Sequence, residues 1–197
     1  MHESLLKVLP RVQPPTDEPE CLPSPAAKKQ LAAMQTLCQF YLLPAQPHGA
    51  CLFRSYAMGR QHVAGVAPHM ITDNTQQALE LRQQLCHYSE LLVQGMTSEE
   101  QEKAKNLLVV ELLDDPFWKE KGCEFSWPKY HEYLKESKTT AGHYCIMLFA
   151  KMERTCLKVW QQNKKGHPVL QWTEESEGSS CMNLLRSGAH FDLLVPV

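Results

Sequence analysis

The segment around Cys51 constrains the fold of this chain more than any other, because two prolines precede it and a helix-forming run follows it. Pro44 and Pro47 stop a preceding helix from continuing, and proline also disfavours the α region for the residue before it. Residues 45–49 are therefore predicted to form an irregular loop. The apolar and basic residues from Leu52 onwards predict a buried helix that begins near Cys51.

Cys51 lies where the N-terminus of this helix is expected, and the position suits a reactive thiol. Unpaired backbone N–H groups and the helix dipole favour an anion there. We therefore expect a lowered pKa for the Cys51 thiol and a thiolate as the working species. The alternative interpretation is that Cys51 is a small buried hydrophobic residue, as most free cysteines are. The local sequence leaves both interpretations open.

The C-terminal segment supplies a histidine and an aspartate at the spacing of a β-strand. Residues 187–189 predict a turn, and residues 190–195 form an apolar run typical of a strand. Because alternate residues of a strand share a face, His190 and Asp192 are expected to lie side by side. An imidazole beside a carboxylate supplies the base and its orienting partner in a Cys-His-Asp arrangement.

These two segments together resemble the ovarian-tumour (OTU) family of cysteine proteases, which are papain-like deubiquitinases. The nucleophile motif of that family, Asp-Gly-x-Cys-Leu-Phe-Arg and a small residue, is matched by residues 48–55, His-Gly-Ala-Cys-Leu-Phe-Arg-Ser. Its histidine motif, His-aromatic-Asp/Asn in a terminal strand, is matched by residues 190–192. Segments 142–150 and 156–160 resemble the helix and strand that precede the histidine in the family. The resemblance covers roughly residues 45 to 197.

The resemblance implies an α+β, papain-like OTU fold, in which helices pack around a small C-terminal β-sheet. It also implies a thiol-dependent deubiquitinase with Cys51 as the nucleophile, His190 as the base and Asp192 as the orienting group. The oxyanion hole would consist of backbone N–H groups of three residues, His48, Gly49 and Ala50. The implied chemistry needs no cofactor, and the implied partner is ubiquitin or polyubiquitin. Since the ubiquitin tail is extended, basic and ends in two glycines, a narrow slot flanked by acidic side chains is expected.

The sequence departs from the family pattern at His48, because the family usually has an aspartate three residues before the cysteine. In many members that aspartate supports the catalytic histidine, and in others the residue two after the histidine does so. Asp192 is therefore expected to take the orienting role here. The departure motivates an alternative function, a catalytically weak OTU-like module that binds ubiquitin. A third alternative is an OTU-type protease that cleaves another protein.

The composition is that of an ordinary soluble globular chain and argues against two classes of partner. The 197 residues are 43% hydrophobic and 21% charged, with a formal charge of −2. The sequence has no basic block, so nucleic-acid binding is not expected, and no apolar run is long enough to cross a bilayer. Residues 1–7 lack the order of a secretory signal. We therefore expect a cytoplasmic protein, and a monomer.

The eight cysteines are expected to be reduced thiols rather than disulfide partners or metal ligands. No Cys-x-x-Cys pattern occurs, which argues against zinc ribbons and thioredoxin-like sites. Several cysteines lie within apolar patterns typical of buried helices and strands. Cys86 and His87 could supply a metal with two ligands, but consecutive residues diverge on a helix. We therefore expect no metal site.

The N-terminal part of the chain divides at about residue 24. Residues 1–24 are expected to form a proline-rich flexible tail, with a docking arm as the alternative, and residues 25–197 to form the protease domain. Ser24 and Pro25 predict the start of a helix. Apolar residues at helical spacing predict that this helix extends to Leu42.

The rest of the chain predicts helices followed by strands, which indicates an α+β domain. The helix from Cys51 is expected to end near Gly59 or Gly65, and Arg54 to form a structural ion pair. Further helices are expected from a cap at Thr72 or Asp73 to Gly95, from Ser98 to Pro116, from Ser126, and over residues 143–153. Strands are expected at residues 155–160, 169–173, 182–186 and 190–195. The helices between Asp73 and Pro116 are either ordinary amphipathic helices or, by resemblance, an arm that recognises ubiquitin. The indole rings of Trp118 and Trp127 are expected in the core or at its rim.

Overall fold

The structure is a computed structural model. It describes residues 36–37, 40–46, 49–113, 115, 118–119, 124–136, 139, 141–175, 178 and 180–197. The α-helices of this part are α1 (Cys51–Val63), α2 (Thr75–Gly95), α3 (Ser98–Leu112), α4 (Trp127–Lys135) and α5 (His143–Glu153). The strands are β1 (Thr36–Leu37), β2 (Phe40–Leu43), β3 (Cys156–Gln162), β4 (Pro168–Glu174), β5 (Cys181–Ser187) and β6 (His190–Pro196). The predicted tail, residues 1–24, lies outside the described residues.

The strands form one mixed sheet in the order β1-β2-β6-β5-β3-β4. The β3/β5 pair is parallel, and the other neighbours are antiparallel. Strand β6 therefore lies inside the sheet, between β2 and β5. In the β5/β6 register, Ser187 pairs with His190 and Leu185 with Asp192. The C-terminal strand, with its histidine and aspartate, is consequently held from both sides, and the α+β architecture expected from the sequence is confirmed.

The prediction of a helix from Ser24 to Leu42 is wrong where the structure describes this segment, because Thr36–Leu37 forms strand β1 and Phe40–Leu43 forms strand β2. The predicted helix start at Ser24 and Pro25 lies outside the described residues. Phe40 pairs with Pro196 and Leu43 with Leu193, and both Phe40 and Leu43 are buried. The backbone hydrogen bonds to β6 and this burial outweigh the local helical spacing, which carries no information about a partner strand distant in sequence. The strand ends before Pro44, which cannot donate to a ladder.

Helix α1 is the central helix of the fold. Its first nine residues, Cys51 to Gly59, are all buried, so it is covered on every side rather than amphipathic. It passes through Gly59 and ends at Val63, and Gly65 follows in the left-handed region with φ 87°. The Ser55 hydroxyl donates to the Phe191 carbonyl at 2.9 Å, which ties α1 to β6.

The N-termini of α2 and α3 have side-chain caps. Asn74, rather than Thr72 or Asp73, caps α2, and its side-chain oxygen accepts from the N–H groups of Gln76 and Gln77. The Asp73 carboxylate makes other contacts and does not cap α2, contrary to the prediction. Thr97 and Glu100 form a reciprocal capping box at the start of α3.

The helix predicted from Ser98 to Pro116 ends at Leu112. The other predicted elements agree with the structure, including α5 over residues 143–153 and the four C-terminal strands. Tyr56 of α1 stacks on Phe149 of α5 with ring centroids 4.0 Å apart. Trp118 and Trp127 pack at the partly buried edge of the main core, as predicted. None of the described helices has the length and apolarity needed to span a membrane.

Candidate active site

The loop before Cys51 is held by two carboxylates from distant parts of the chain. The N–H of Ala45 donates to Asp192 Oδ1 at 2.9 Å, in a buried hydrogen bond. The N–H of Gln46 donates to Asp73 Oδ2 at 3.0 Å. Gly49 has φ 76°, a backbone conformation that favours glycine. These contacts fix the path of the chain into α1. His48 lies outside the described residues, so the expectation for its backbone N–H stays a prediction.

His190 and Asp192 lie side by side on β6, as the strand spacing predicts. The ring nitrogen Nε2 of His190 is 2.8 Å from Asp192 Oδ1. The same Oδ1 accepts the Ala45 N–H, and Asp192 is only 8% exposed. The preceding turn is also ordered, because Arg186 Nε donates to the Gly188 carbonyl at 2.9 Å. Nε2 of His190 is thus engaged, and Nδ1 is the ring nitrogen left for a second partner.

Cys51 lies against the backbone that carries His190. Its Sγ donates to the Ala189 carbonyl at 3.8 Å, and the Ser55 hydroxyl, one helical turn further on, holds the Phe191 carbonyl. The fold therefore brings the thiol of α1 to the residues on both sides of His190. The hydrogen bond of the thiol runs to the Ala189 carbonyl, whereas the imidazole of His190 bonds to Asp192.

The electrostatic surroundings of Cys51 differ from the sequence expectation. Burial raises the pKa of the Cys51 thiol, and the N–H groups of Phe191 and Leu52 oppose this effect without overcoming it. The negative charge of Asp192 adds to the increase. The expectation of a lowered pKa is wrong for the resting site, because the thiol of a residue that is only 7% exposed loses more hydration than the helix N-terminus replaces. The raised pKa favours the neutral thiol over the thiolate.

The expected structural ion pair of Arg54 is confirmed. Arg54 Nη1 lies 2.7 Å from Asp73 Oδ1, and Nη2 donates to Thr75 Oγ1 at 2.7 Å. Asp73 therefore bridges the first turn of α1 and the N–H of Gln46 in the preceding loop. The pair supports the loop and the helix start together.

Arg82 of α2 is a site residue that the motif analysis missed. It is 1% exposed, and its Nη2 donates to the Gly49 carbonyl at 2.9 Å. The signal was present in the sequence, because Arg82 lies on the apolar face of α2 between Ala78 and Leu85. A charged residue at such a position needs buried partners. Sequence alone does not tell that the partner is the loop before Cys51.

A cleft of about 400 Å³ opens beside the turn that carries His190. Gly188, Ala189 and Phe191 form one side of it, and Glu111 of α3 and Trp172 of β4 contribute to the others. Its lining therefore adjoins the Ala189 carbonyl that accepts the Cys51 hydrogen bond. Cys51 and His190 are not among the residues that line the cleft, and Ala189 connects the cleft to the thiol.

Glu111 also organises one end of the cleft. Its Oε1 accepts the N–H of Tyr144 at 3.1 Å, at the start of α5. Burial raises the pKa of Glu111, while the backbone N–H groups of Tyr144 and His143 oppose the increase. A Cβ on Gly142 would lie 2.5 Å from Glu111 Oε2, so only glycine fits there without moving the carboxylate.

Among the described residues, no cluster of three or more His, Cys, Asp or Glu side chains is suited to a metal ion.

Comparison with known proteins identifies the fold. No protein-family model matches the sequence, and no characterised protein sequence matches it. The structure of the Hazara virus OTU bound to ubiquitin is 15% identical, with a TM-score of 0.52 over 83% of this chain and 86% of that one. An OTU deubiquitinase from Wolbachia pipientis wMel, bound to ubiquitin, is 15% identical, with a TM-score of 0.52 over 80% and 96%. The OTU domain protease of Dera Ghazi Khan virus is 11% identical, with a TM-score of 0.54 over 80% and 81%. The chain has the fold of OTU domains, as predicted.

Proposed function

We propose that this OTU-fold protein is a thiol-dependent deubiquitinase, which hydrolyses the isopeptide bond after the C-terminal glycine of ubiquitin. The observation that carries the proposal is the meeting of two distant segments. The thiol at the start of the buried helix α1 lies against Ala189, and the next residue, His190, is paired with Asp192 at 2.8 Å. The likeness to OTU structures bound to ubiquitin supports the substrate class.

In the proposed reaction, Cys51 Sγ attacks the carbonyl carbon of the terminal glycine while His190 accepts the thiol proton. This order suits a thiol that is neutral at rest, since the proton leaves as the bond forms. The tetrahedral intermediate collapses and expels the lysine amine, which takes the proton from His190. The thioester on Cys51 is then hydrolysed by water, with His190 as the base, and the thiol and the ubiquitin carboxylate are released.

Asp192 and the loop before Cys51 supply the supporting interactions. The Asp192 carboxylate holds Nε2 of His190 and stabilises the imidazolium that forms, so that Nδ1 serves the thiol. Backbone N–H groups of His48, Gly49 and Ala50 stabilise the oxyanion. In comparable hydrolases, the loss of one such donor costs about 3 to 4 kcal/mol of transition-state stabilisation.

The cleft beside Ala189 is the proposed path of the ubiquitin tail. Arg186 lines it, and so do two acidic residues, Glu111 and Asp115. Their carboxylates are the candidates for the basic side chains that precede the two glycines. Of the many acidic residues of the chain, these two are the proposed contacts of the ubiquitin tail.

The experiment that tests the proposal measures cleavage of ubiquitin chains by the full protein. Each linkage of diubiquitin is incubated with the wild type, Cys51→Ala and His190→Ala, and free ubiquitin is quantified. The proposal expects cleavage of at least one linkage by the wild type and none by either variant. Binding of ubiquitin without cleavage would support the weakly catalytic module. A Cys51 that reacts with small electrophiles, in a protein that neither binds nor cleaves ubiquitin, would support a protease for another protein.

A further inference from the structure

We infer that Arg82 is a positioning residue for the oxyanion hole. It holds the carbonyl of Gly49 inward, so that the N–H of Ala50 points outward to the carbonyl oxygen of the substrate. The inference rests on the proposed function and deepens it, because it names the side chain that orients one of the oxyanion donors.

The first observation is the number of contacts that converge on the Arg82 guanidinium. Nη2 donates to the carbonyls of Gly49 at 2.9 Å and Thr139 at 3.1 Å. Nη1 donates to the carbonyls of Leu134 at 3.0 Å and Glu136 at 2.7 Å, and to Thr139 Oγ1 at 2.7 Å. Arg82 therefore joins the loop before the nucleophile to the C-terminal end of α4 and the segment after it.

The second observation concerns the peptide bond between Gly49 and Ala50. The described chain has no cis peptide bonds, and in a planar trans peptide the C=O and the following N–H point in opposite directions. When Arg82 fixes the Gly49 carbonyl, it also fixes the direction of the Ala50 N–H. The other side of Ala50 is fixed too, because its carbonyl accepts the N–H of Arg54 at 2.9 Å. Both peptide planes that flank Ala50 are thus set before substrate binds.

The third observation is that the Ala50 N–H has no acceptor within the described part of the chain. This donor immediately precedes the nucleophile, where the oxygen of a tetrahedral intermediate needs one. A preorganised donor costs no rearrangement when the negative charge develops.

The fourth observation is that the buried Arg82 guanidinium has no acidic partner among the described residues. Its hydrogen-bond acceptors in the described part of the chain are carbonyl and hydroxyl oxygens. The carbonyls at the C-terminus of α4 stabilise the cation, and the guanidinium lies 4.2 Å from the centre of the Phe53 ring. Burying a charge is costly without such partners, and this cation lies next to the place where the proposed reaction develops an anion.

The test compares substitutions of Arg82 with a matched change on the other side of the same guanidinium. Arg82→Met removes the donor to Gly49, whereas Thr139→Val removes the Nη1–Oγ1 contact and leaves the Gly49 contact in place. Two rates are measured for each protein. One is hydrolysis of a ubiquitin C-terminal coumarin amide, which passes through an oxyanion. The other is alkylation of Cys51 by iodoacetamide, which displaces iodide at a saturated carbon and forms none.

For Arg82→Met we expect kcat to fall about 100-fold, as for the loss of one oxyanion donor, with KM and the alkylation rate within about threefold of the wild type. Thr139→Val is expected to keep kcat within about threefold. Arg82→Lys, which retains a cation and a donor, should recover part of kcat. If Arg82→Met does not fold, the inference is tested by the ratio of the hydrolysis rate to the alkylation rate in Arg82→Lys, compared with the wild type.

Any one of four results would overturn the inference. Arg82 variants that hydrolyse at the wild-type rate would show that the Gly49 contact is not needed. Equal losses of hydrolysis and alkylation, or a Thr139→Val variant as impaired as Arg82→Met, would show a general loosening of the fold. A wild type that does not hydrolyse the coumarin amide would overturn the proposed function, and this inference with it. Comparing the wild type, Arg82→Met and Thr139→Val therefore distinguishes a failure of this inference from a failure of the proposed function.

Discussion

The raised pKa of the Cys51 thiol has a direct consequence for the reactivity of this residue. Because burial raises its pKa above the ordinary thiol value, only a small fraction is thiolate at neutral pH. An acid with a raised pKa gains its charged form only as the pH approaches that pKa from below. The thiolate fraction therefore increases about tenfold for each pH unit in this range.

We predict that the rate of Cys51 alkylation by iodoacetamide rises continuously between pH 6 and pH 9. The rate constant is obtained from intact mass against time, with Cys51→Ala providing the background from the other cysteines. A rate that reaches a plateau near pH 6 would instead indicate a preformed thiolate and imidazolium pair.

Asp192 has two partners through one oxygen, which makes its substitution informative. The same Oδ1 accepts from His190 Nε2 and from the Ala45 N–H. We predict that Asp192→Ala lowers kcat about tenfold or more, because the imidazole loses its orientation and its cation loses a stabilising charge. The measurement is hydrolysis of the ubiquitin coumarin amide.

Asp192→Asn is the matched control for this change. Its amide oxygen still accepts the Ala45 N–H, but it carries no charge to stabilise the imidazolium. A loss of kcat in both variants, with the melting temperature lowered mainly in Asp192→Ala, would agree with the two roles. Wild-type turnover in Asp192→Ala would show that another residue orients the His190 imidazole.

At the scale of single residues, the motifs predict the proposed catalytic side chains but not the residues that hold the loop before Cys51. Cys51, His190 and Asp192 were predicted because their chemistry and spacing are recognisable within a few residues. Arg82 and Asp73 act on the loop before Cys51 from α2 and from the segment before it. Their partners are backbone groups, which have no sequence signature, so only the structure assigns these contacts.

At the scale of elements, periodicity predicts the helices and the C-terminal strands but not β2. The helices from Thr75 to Glu153 bury faces that the apolar spacing marks. Phe40–Leu43 has no such independent pattern, because its structure depends on pairing with β6, more than 140 residues away. Propensity in a short segment cannot anticipate a partner of that kind.

Gly59 gives an element-scale prediction about the packing of α1 on the sheet. A Cβ at this position would lie 2.7 Å from Met182 Sδ and 3.3 Å from Leu193 Cδ1. We predict that Gly59→Leu lowers the free energy of unfolding by about 1 to 3 kcal/mol, since overpacking outweighs the better helix propensity.

The control for this prediction is Gly95→Leu at the end of α2, where an added Cβ meets nothing within 4 Å. It is expected to be neutral or slightly stabilising. Urea unfolding followed by circular dichroism measures both variants. Equal stabilities for the two would show that α1 can move away from the sheet at no cost.

At the scale of the whole molecule, the sheet brings two distant segments of the chain together at the candidate site. Strand β2 leads into the loop before Cys51, and it pairs with β6, which carries His190 and Asp192. The buried bond from Ala45 to Asp192 spans 147 positions. The arrangement thus depends on the complete sheet, and the OTU likeness extends over about 80% of this chain.

The central claim is that this fold presents Cys51 as a nucleophile to the C-terminal carbonyl of ubiquitin. The most direct measurement is intact mass of the protein after incubation with ubiquitin carrying a C-terminal propargylamide, followed by peptide mapping. The account predicts one covalent ubiquitin per protein, attached to Cys51, and no adduct with Cys51→Ala. A folded wild type that binds ubiquitin and forms no adduct, or an adduct on another cysteine, would contradict it.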